Sequence, residues 1–344
     1  MADTSPTPST EQIPEPLWYR VQVERKDMKQ MMGRTNWQGL VHFFGYLALL
    51  ALFATLTVTH LLPTWARVVS FLVYATVYCF SEAILHETHH RTAFRTPWVN
   101  ETVHYLAGLF SFSEPIRDRW LHAAHHTYTS YPQFDPEIVL EPPPKFNTLI
   151  LDMFRVKVVV RFTGQIFHNA VKPDALTLRY VPPTERRAVR LSAQVFVAYY
   201  LGVVVLSIVL RSWWPILFVF VARFVGAWLN SWIMFLQHGA LQMSVPDWRR
   251  DARTVLTNPV NRFLVWNMNY HVEHHMYPTV PFHSLPALQR AIAYDCPPVY
   301  PSTIAGWREM LPALWRQRKE PTWFVERPVP VNATVPPAPL AETA

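Results

Sequence analysis

Fifteen histidines occur in 344 residues, and nine of them fall into three copies of one pattern, HxxHH. The copies are His86-Glu87-Thr88-His89-His90, His122-Ala123-Ala124-His125-His126 and His271-Val272-Glu273-His274-His275. At this histidine content, chance would supply roughly 0.03 such patterns in a chain of this length. Residues i, i+3 and i+4 share one face of a helix, so each cluster can aim imidazoles at one point. Imidazole suits iron, zinc, copper and nickel. One ion takes roughly three to six ligands, so nine histidines imply at least two ions. The two cysteines, Cys79 and Cys296, form no CxxC pair. Thiolate sites, iron–sulfur clusters and a disulfide framework are therefore set aside.

The isolated histidines read differently. His42, His60, His168 and His283 are taken as packed or interfacial residues. His238 ends an apolar run in Leu236-Gln237-His238 and faces the same way as the clusters, so it joins the candidate ligands. A rival motif must be weighed. His86 to His90 also spells HExxH, in which Glu87 would be a general base and His86 and His90 would hold zinc in an intramembrane metalloprotease. That reading leaves two clusters unexplained. A histidine-rich metal transporter would set ionisable ligands at mid-membrane, whereas these gather at the ends of apolar runs and outside them. Ligating histidines usually pass their other N–H to a carboxylate or carbonyl, and Asp135, Glu137 and Glu273 lie beside the clusters as candidates.

Elements of a particular kind must position these residues. Half the residues are hydrophobic and 16% are charged, with 14 Trp and 21 Phe. That is too apolar for an ordinary soluble enzyme and too polar for spans alone. A membrane part and a substantial soluble part are expected. Four apolar runs have about the 20 residues needed to cross a bilayer. They lie at Leu40–Leu62, Val68–Leu85, Leu191–Leu210 and Pro215–Leu236, and short turns make them two helical hairpins. The net charge of +7 suits an anionic membrane face, and no nucleic-acid partner is expected. Lys and Arg concentrate in the N-terminal segment, between the hairpins and after them. By the positive-inside rule both termini and all three clusters face the cytoplasm.

The expected fold is all-α: four transmembrane helices in two hairpins, with a cytoplasmic helical cap holding a di-metal site. Residues 1–36 form an N-terminal cytoplasmic segment, partly disordered, and 37–300 the membrane domain with its cap. Residues 146–166 mix apolar residues with Arg155, Lys157 and Arg161, as an interfacial helix would. Residues 301–327 form an amphipathic segment in which Pro312 would kink a helix. Residues 328–344 are a Pro-rich tail expected to be disordered.

Over roughly Leu40 to Tyr294 the chain resembles the membrane fatty-acid desaturase superfamily, which includes hydroxylases and related hydrocarbon oxygenases. The resemblance rests on His86-Glu87-Thr88-His89-His90-Arg91-Thr92; on Arg119-Trp120-Leu121-His122-Ala123-Ala124-His125-His126 with Thr129, Pro132 and Asp135-Pro136-Glu137; and on Asn269-Tyr270-His271-Val272-Glu273-His274-His275 with Pro278 and Pro281-Phe282-His283. The family's first box is usually HxxxH or HxxxxH, so His86 and His90 match it and His89 is the additional candidate. The resemblance implies nine ligands: His86, His90, His122, His125, His126, His238, His271, His274 and His275. It also implies two non-haem iron ions, oxygen as co-substrate and a hydrophobic chain such as a fatty acid or acyl lipid. No HPGG segment of a fused haem domain is present. Electrons would come from a separate donor such as ferredoxin, rubredoxin, or cytochrome b5 with its reductase. Introduction of a double bond is the first expectation, with hydroxylation or decarboxylating oxidation on the same centre as alternatives.

Overall fold

The computed structural model describes residues 16–174 and 178–330. Among them the structure is helical, with two isolated β-bridges, Thr254 with Tyr270 and Val255 with Tyr300. Four helices are long and apolar enough to cross a membrane: Trp37–Val58, Thr64–His89, Pro183–Val209 and Trp214–His238. They match the four apolar runs, and the second extends past Leu85 to carry the first histidine cluster. Residues 1–15 and 331–344, which take in most of the segments expected to be disordered, lie outside the described residues.

The second span is the centre of the bundle. In its most apolar stretch 61% of the residues are buried, against 22% in the first span. Tyr74, Tyr78, Phe80 and Ile84 face inward from it. The first and third spans instead turn Phe44, Leu52, Leu201, Val205 and Ile208 outward, as lipid contact requires. The fourth span packs close against the second. A Cβ on Gly226 would lie 1.8 Å from the Ala75 carbonyl oxygen, so only glycine allows this approach. The fourth span opens into a π-helical turn at Leu217–Val221 and breaks at Gly226 before resuming at Trp228.

This close contact holds a buried ion pair. Arg223 of the fourth span reaches Glu82 of the second. Arg155 adds an ion pair to Glu82 at 3.0 Å, and Asn230 donates to the other Glu82 oxygen at 2.7 Å. Arg155 has φ 53°, the left-handed region that a non-glycine residue rarely adopts, just before the helix Val156–Val171. That helix carries exposed Val160, Phe167 and Val171 beside exposed Lys157 and Arg161, as an interfacial helix would.

The cap is built from short helices over the ends of the second and fourth spans. Glu114 caps the helix Pro115–Tyr128 by accepting from Ile116 N and Arg117 N, at 3.1 and 2.8 Å, with Pro115 in the first turn. The helix His271–Met276 follows the Thr254–Tyr270 bridge. The helix Thr303–Gln317 continues through Pro312. It is seated by Trp307, which stacks on Trp232 at 4.5 Å and donates to its carbonyl at 2.8 Å.

Candidate metal centre

The end of the second span, the helix Pro115–Tyr128, the end of the fourth span and the helix His271–Met276 all project imidazoles into one buried space. Two groups result. In the first, His86, His122, His126 and His274 each bring a ring nitrogen within 4.8 Å of the others. His90 joins them, with its Nε2 2.9 Å from that of His122. In the second, His125, His238, His271 and His275 converge in the same way. The groups adjoin: the rings of His126 and His275 stack at 4.3 Å.

Hydrogen bonds at Nδ1 decide what Nε2 offers. His125 Nδ1 lies 2.9 Å from Asp135 Oδ1 and His122 Nδ1 lies 3.2 Å from Glu137 Oε2. His238 Nδ1 lies 2.8 Å from the Asp251 carbonyl oxygen. Thr129 gives its hydroxyl hydrogen to the His125 carbonyl, so it accepts from His275 Nδ1 at 3.3 Å. In each case Nδ1 donates, and Nε2 offers its lone pair once the ring is neutral. Three rings of the second group are tied in this way; of the first group's five, His122 alone has an Nδ1 partner among the described residues.

These lone pairs face one another. Nε2 atoms of His238 and His271 are 2.9 Å apart, of His271 and His275 3.0 Å, of His122 and His126 3.1 Å, and of His126 and His274 3.2 Å. Burial, with repulsion from neighbouring imidazoles, lowers the pKa values of His122, His126, His271, His274 and His275. His90 is pushed down to about 3, chiefly by burial. Protons cannot relieve the crowding, and a bound cation in each group would. The residues present therefore fit two metal ions held by nitrogen ligands. His125 differs: burial opposes its charge, but Asp135 outweighs this and raises it to about 9. A metal taken up there displaces a proton, so uptake is favoured as pH rises towards that value.

The other expected residues fall outside the two groups. His89 turns its Nε2 towards Asp118 at 3.3 Å and stacks against His122. Glu273 bonds to the Thr254 hydroxyl. Glu87, the base of the protease reading, accepts from Thr92 at 2.9 Å and from Phe282 N at 3.1 Å. His42 bonds to the Phe263 carbonyl at 3.1 Å and stacks on its ring. Sequence reasoning passed over Thr129 and the Asp251 carbonyl as supports. The carbonyl has no side-chain signature. Asp135→Asn is expected to lower metal occupancy or turnover roughly tenfold or more, because a neutral amide holds the His125 N–H less firmly. Metal analysis and turnover measured on one preparation check this; unchanged values would remove Asp135 from the role.

A cavity of about 650 Å³ opens onto both histidine groups. His86, His122, His125, His238 and His271 stand in its wall, and Leu85, Val159, Phe162, Phe235 and Leu314 supply apolar surface. Two buried imidazole groups beside a cavity with an apolar stretch of wall would suit a metal pair to redox attack on a hydrocarbon held in place by its chain.

A family model described as fatty acid desaturase matches residues 63–307. An acyl-lipid (9-3)-desaturase of Physcomitrium patens is 23% identical over 248 residues, covering 63% of this chain. The chain spans about half that relative's length, 46%.

Proposed function

Because the chain belongs to the fatty acid desaturase family and is an integral membrane enzyme of that type, we propose that it introduces a double bond into an aliphatic or fatty-acyl chain, using two iron ions and oxygen. The carrying observation is the pair of converging, buried imidazole groups beside the cavity. Bound at the nine histidines, the metal pair supplies the redox power that side chains lack for an unactivated C–H bond. Overall, one –CH2–CH2– unit, oxygen, two electrons and two protons become –CH=CH– and two waters. The electrons come from a separate donor such as ferredoxin, rubredoxin, or cytochrome b5 with its reductase. Asp135, Glu137, Thr129 and the Asp251 carbonyl hold the ligand rings at fixed angles. The cavity wall positions the chain and limits water around it. Placement of the chain selects among desaturation, hydroxylation and decarboxylating oxidation, and desaturation is the reading that the family supports.

The test is expression in membranes with a compatible reductase and a panel of acyl lipids and free chains, with products read by mass spectrometry. A new double bond together with close to two equivalents of iron is expected. A hydroxylated or shortened product would move the reading to its alternative. Full activity with a single zinc would overturn it.

We place the termini and the metal centre on the cytoplasmic face, supported by the Lys and Arg distribution. Single cysteines near Gln133 and Thr279, in a chain lacking Cys79 and Cys296, should both react with an impermeant thiol reagent only when that face is exposed. Labelling of the two from opposite sides would exclude a shared site.

A further inference from the structure

The cavity wall is not apolar throughout. About one helical turn below His86, at the i−4 position on the same face, stands Glu82, with Arg155 and Arg223 gathered on it. All three line the cavity. Two guanidinium groups share one carboxylate, and neither contacts another carboxylate among the described residues. Glu82 is fully engaged, since Asn230 takes its second oxygen. Arg223 is 1% exposed, and among the described residues its Nε and Nη1 have no hydrogen-bond partner. The Cys79 thiol lies beside Arg223 but is a weak acceptor. Asp118 and Glu137, the next carboxylates along the wall, face His89 and His122. Buried guanidinium donors are thus left unpaired beside a space large enough for a ligand, at a desolvation cost.

We propose that Arg155 and Arg223 form an anion subsite that binds the carboxylate of a free fatty acid. Resting on the desaturase-type reading, this narrows the substrate to a single chain with an ionised head inside the cavity rather than an esterified chain. A carboxylate meets planar guanidinium donors in a geometry suited to paired hydrogen bonds, and charge-assisted bonds of this kind are the strong ones. It would use donors that Glu82 leaves free, one turn from His86. The exposed rim of the cavity carries Lys145, Lys157 and Arg161 against Glu141 and the Asp152 already paired with Lys157.

The test is competition against radiolabelled dodecanoate on the purified full-length protein in nanodiscs at pH 8, using dodecanoate, dodecanol and methyl dodecanoate. Dodecanoate should bind at least roughly tenfold more tightly than either neutral ligand. Arg155→Gln, which leaves the buried Arg223–Glu82 pair in place, should weaken dodecanoate roughly tenfold and leave dodecanol unchanged. Equal affinities for the three ligands, or one loss shared by all three in Arg155→Gln, would overturn the subsite. The enzymatic reading fails separately. Oxidation of methyl esters without preferential dodecanoate binding removes the subsite and keeps the enzyme. Preferential dodecanoate binding with no oxidation of any chain does the reverse.

Discussion

Replacement of His125 or His274 by alanine is expected to abolish turnover, with a fall of at least about 100-fold, since loss of a supporting residue alone costs about 10- to 100-fold. The two residues sample different groups: His274 lies with His86, His122 and His126, and His125 with His238, His271 and His275. Each alanine removes a nitrogen ligand and leaves a void lined by crowded lone pairs. Metal analysis of the same samples should show lower occupancy. His89→Ala should be milder, because His89 faces Asp118 and lies outside both groups. His42→Ala, whose ring rests on Phe263, should be close to silent. Equal loss at His89 and His274 would show that His89 belongs among the ligands.

The second large effect is one of stability. Arg223→Met should destabilise the protein, by less than the about 3–5 kcal/mol of a fully broken buried pair, because Glu82 loses one of its two guanidinium partners and the spans lose the link between them. The pair joins the second and fourth spans, with side chains 14% and 1% exposed. Arg155 and Asn230 remain on Glu82 and would soften the loss. A lower melting temperature of the detergent-solubilised protein is the readout. Adding Arg155→Gln to Arg223→Met should deepen the loss, since Glu82 then keeps no guanidinium partner. A double variant no less stable than the single one would mean that Arg223 acts through packing alone.

The spans and the three clusters were legible in the sequence because each has a strong local signature: a long apolar run, or imidazoles at i, i+3 and i+4. His238 could be read because it closes a span. Two things could not be read from spacing. One is the division of the histidines between two groups. The second cluster sends His122 and His126 to one group and His125 to the other, which depends on how the helix Pro115–Tyr128 is rotated against its neighbours. The other is the Glu82–Arg223 pair, whose members are 141 residues apart. A signal did exist, for Arg223 interrupts the apolar run Pro215–Leu236, and an ionisable residue inside a span is a functional candidate by default.

The unequal bracing of the two histidine groups bears on how the enzyme matures. Rings already locked by Asp135, Thr129 and the Asp251 carbonyl lose little freedom when an ion arrives, whereas four of the other five must be ordered by the ion itself. The ion at His125, His238, His271 and His275 should therefore enter first and leave last. A chelator would strip the pair in two phases, through a half-loaded form that is folded but inert. Cells short of the metal would accumulate that form, and supplying it would revive the protein without new synthesis.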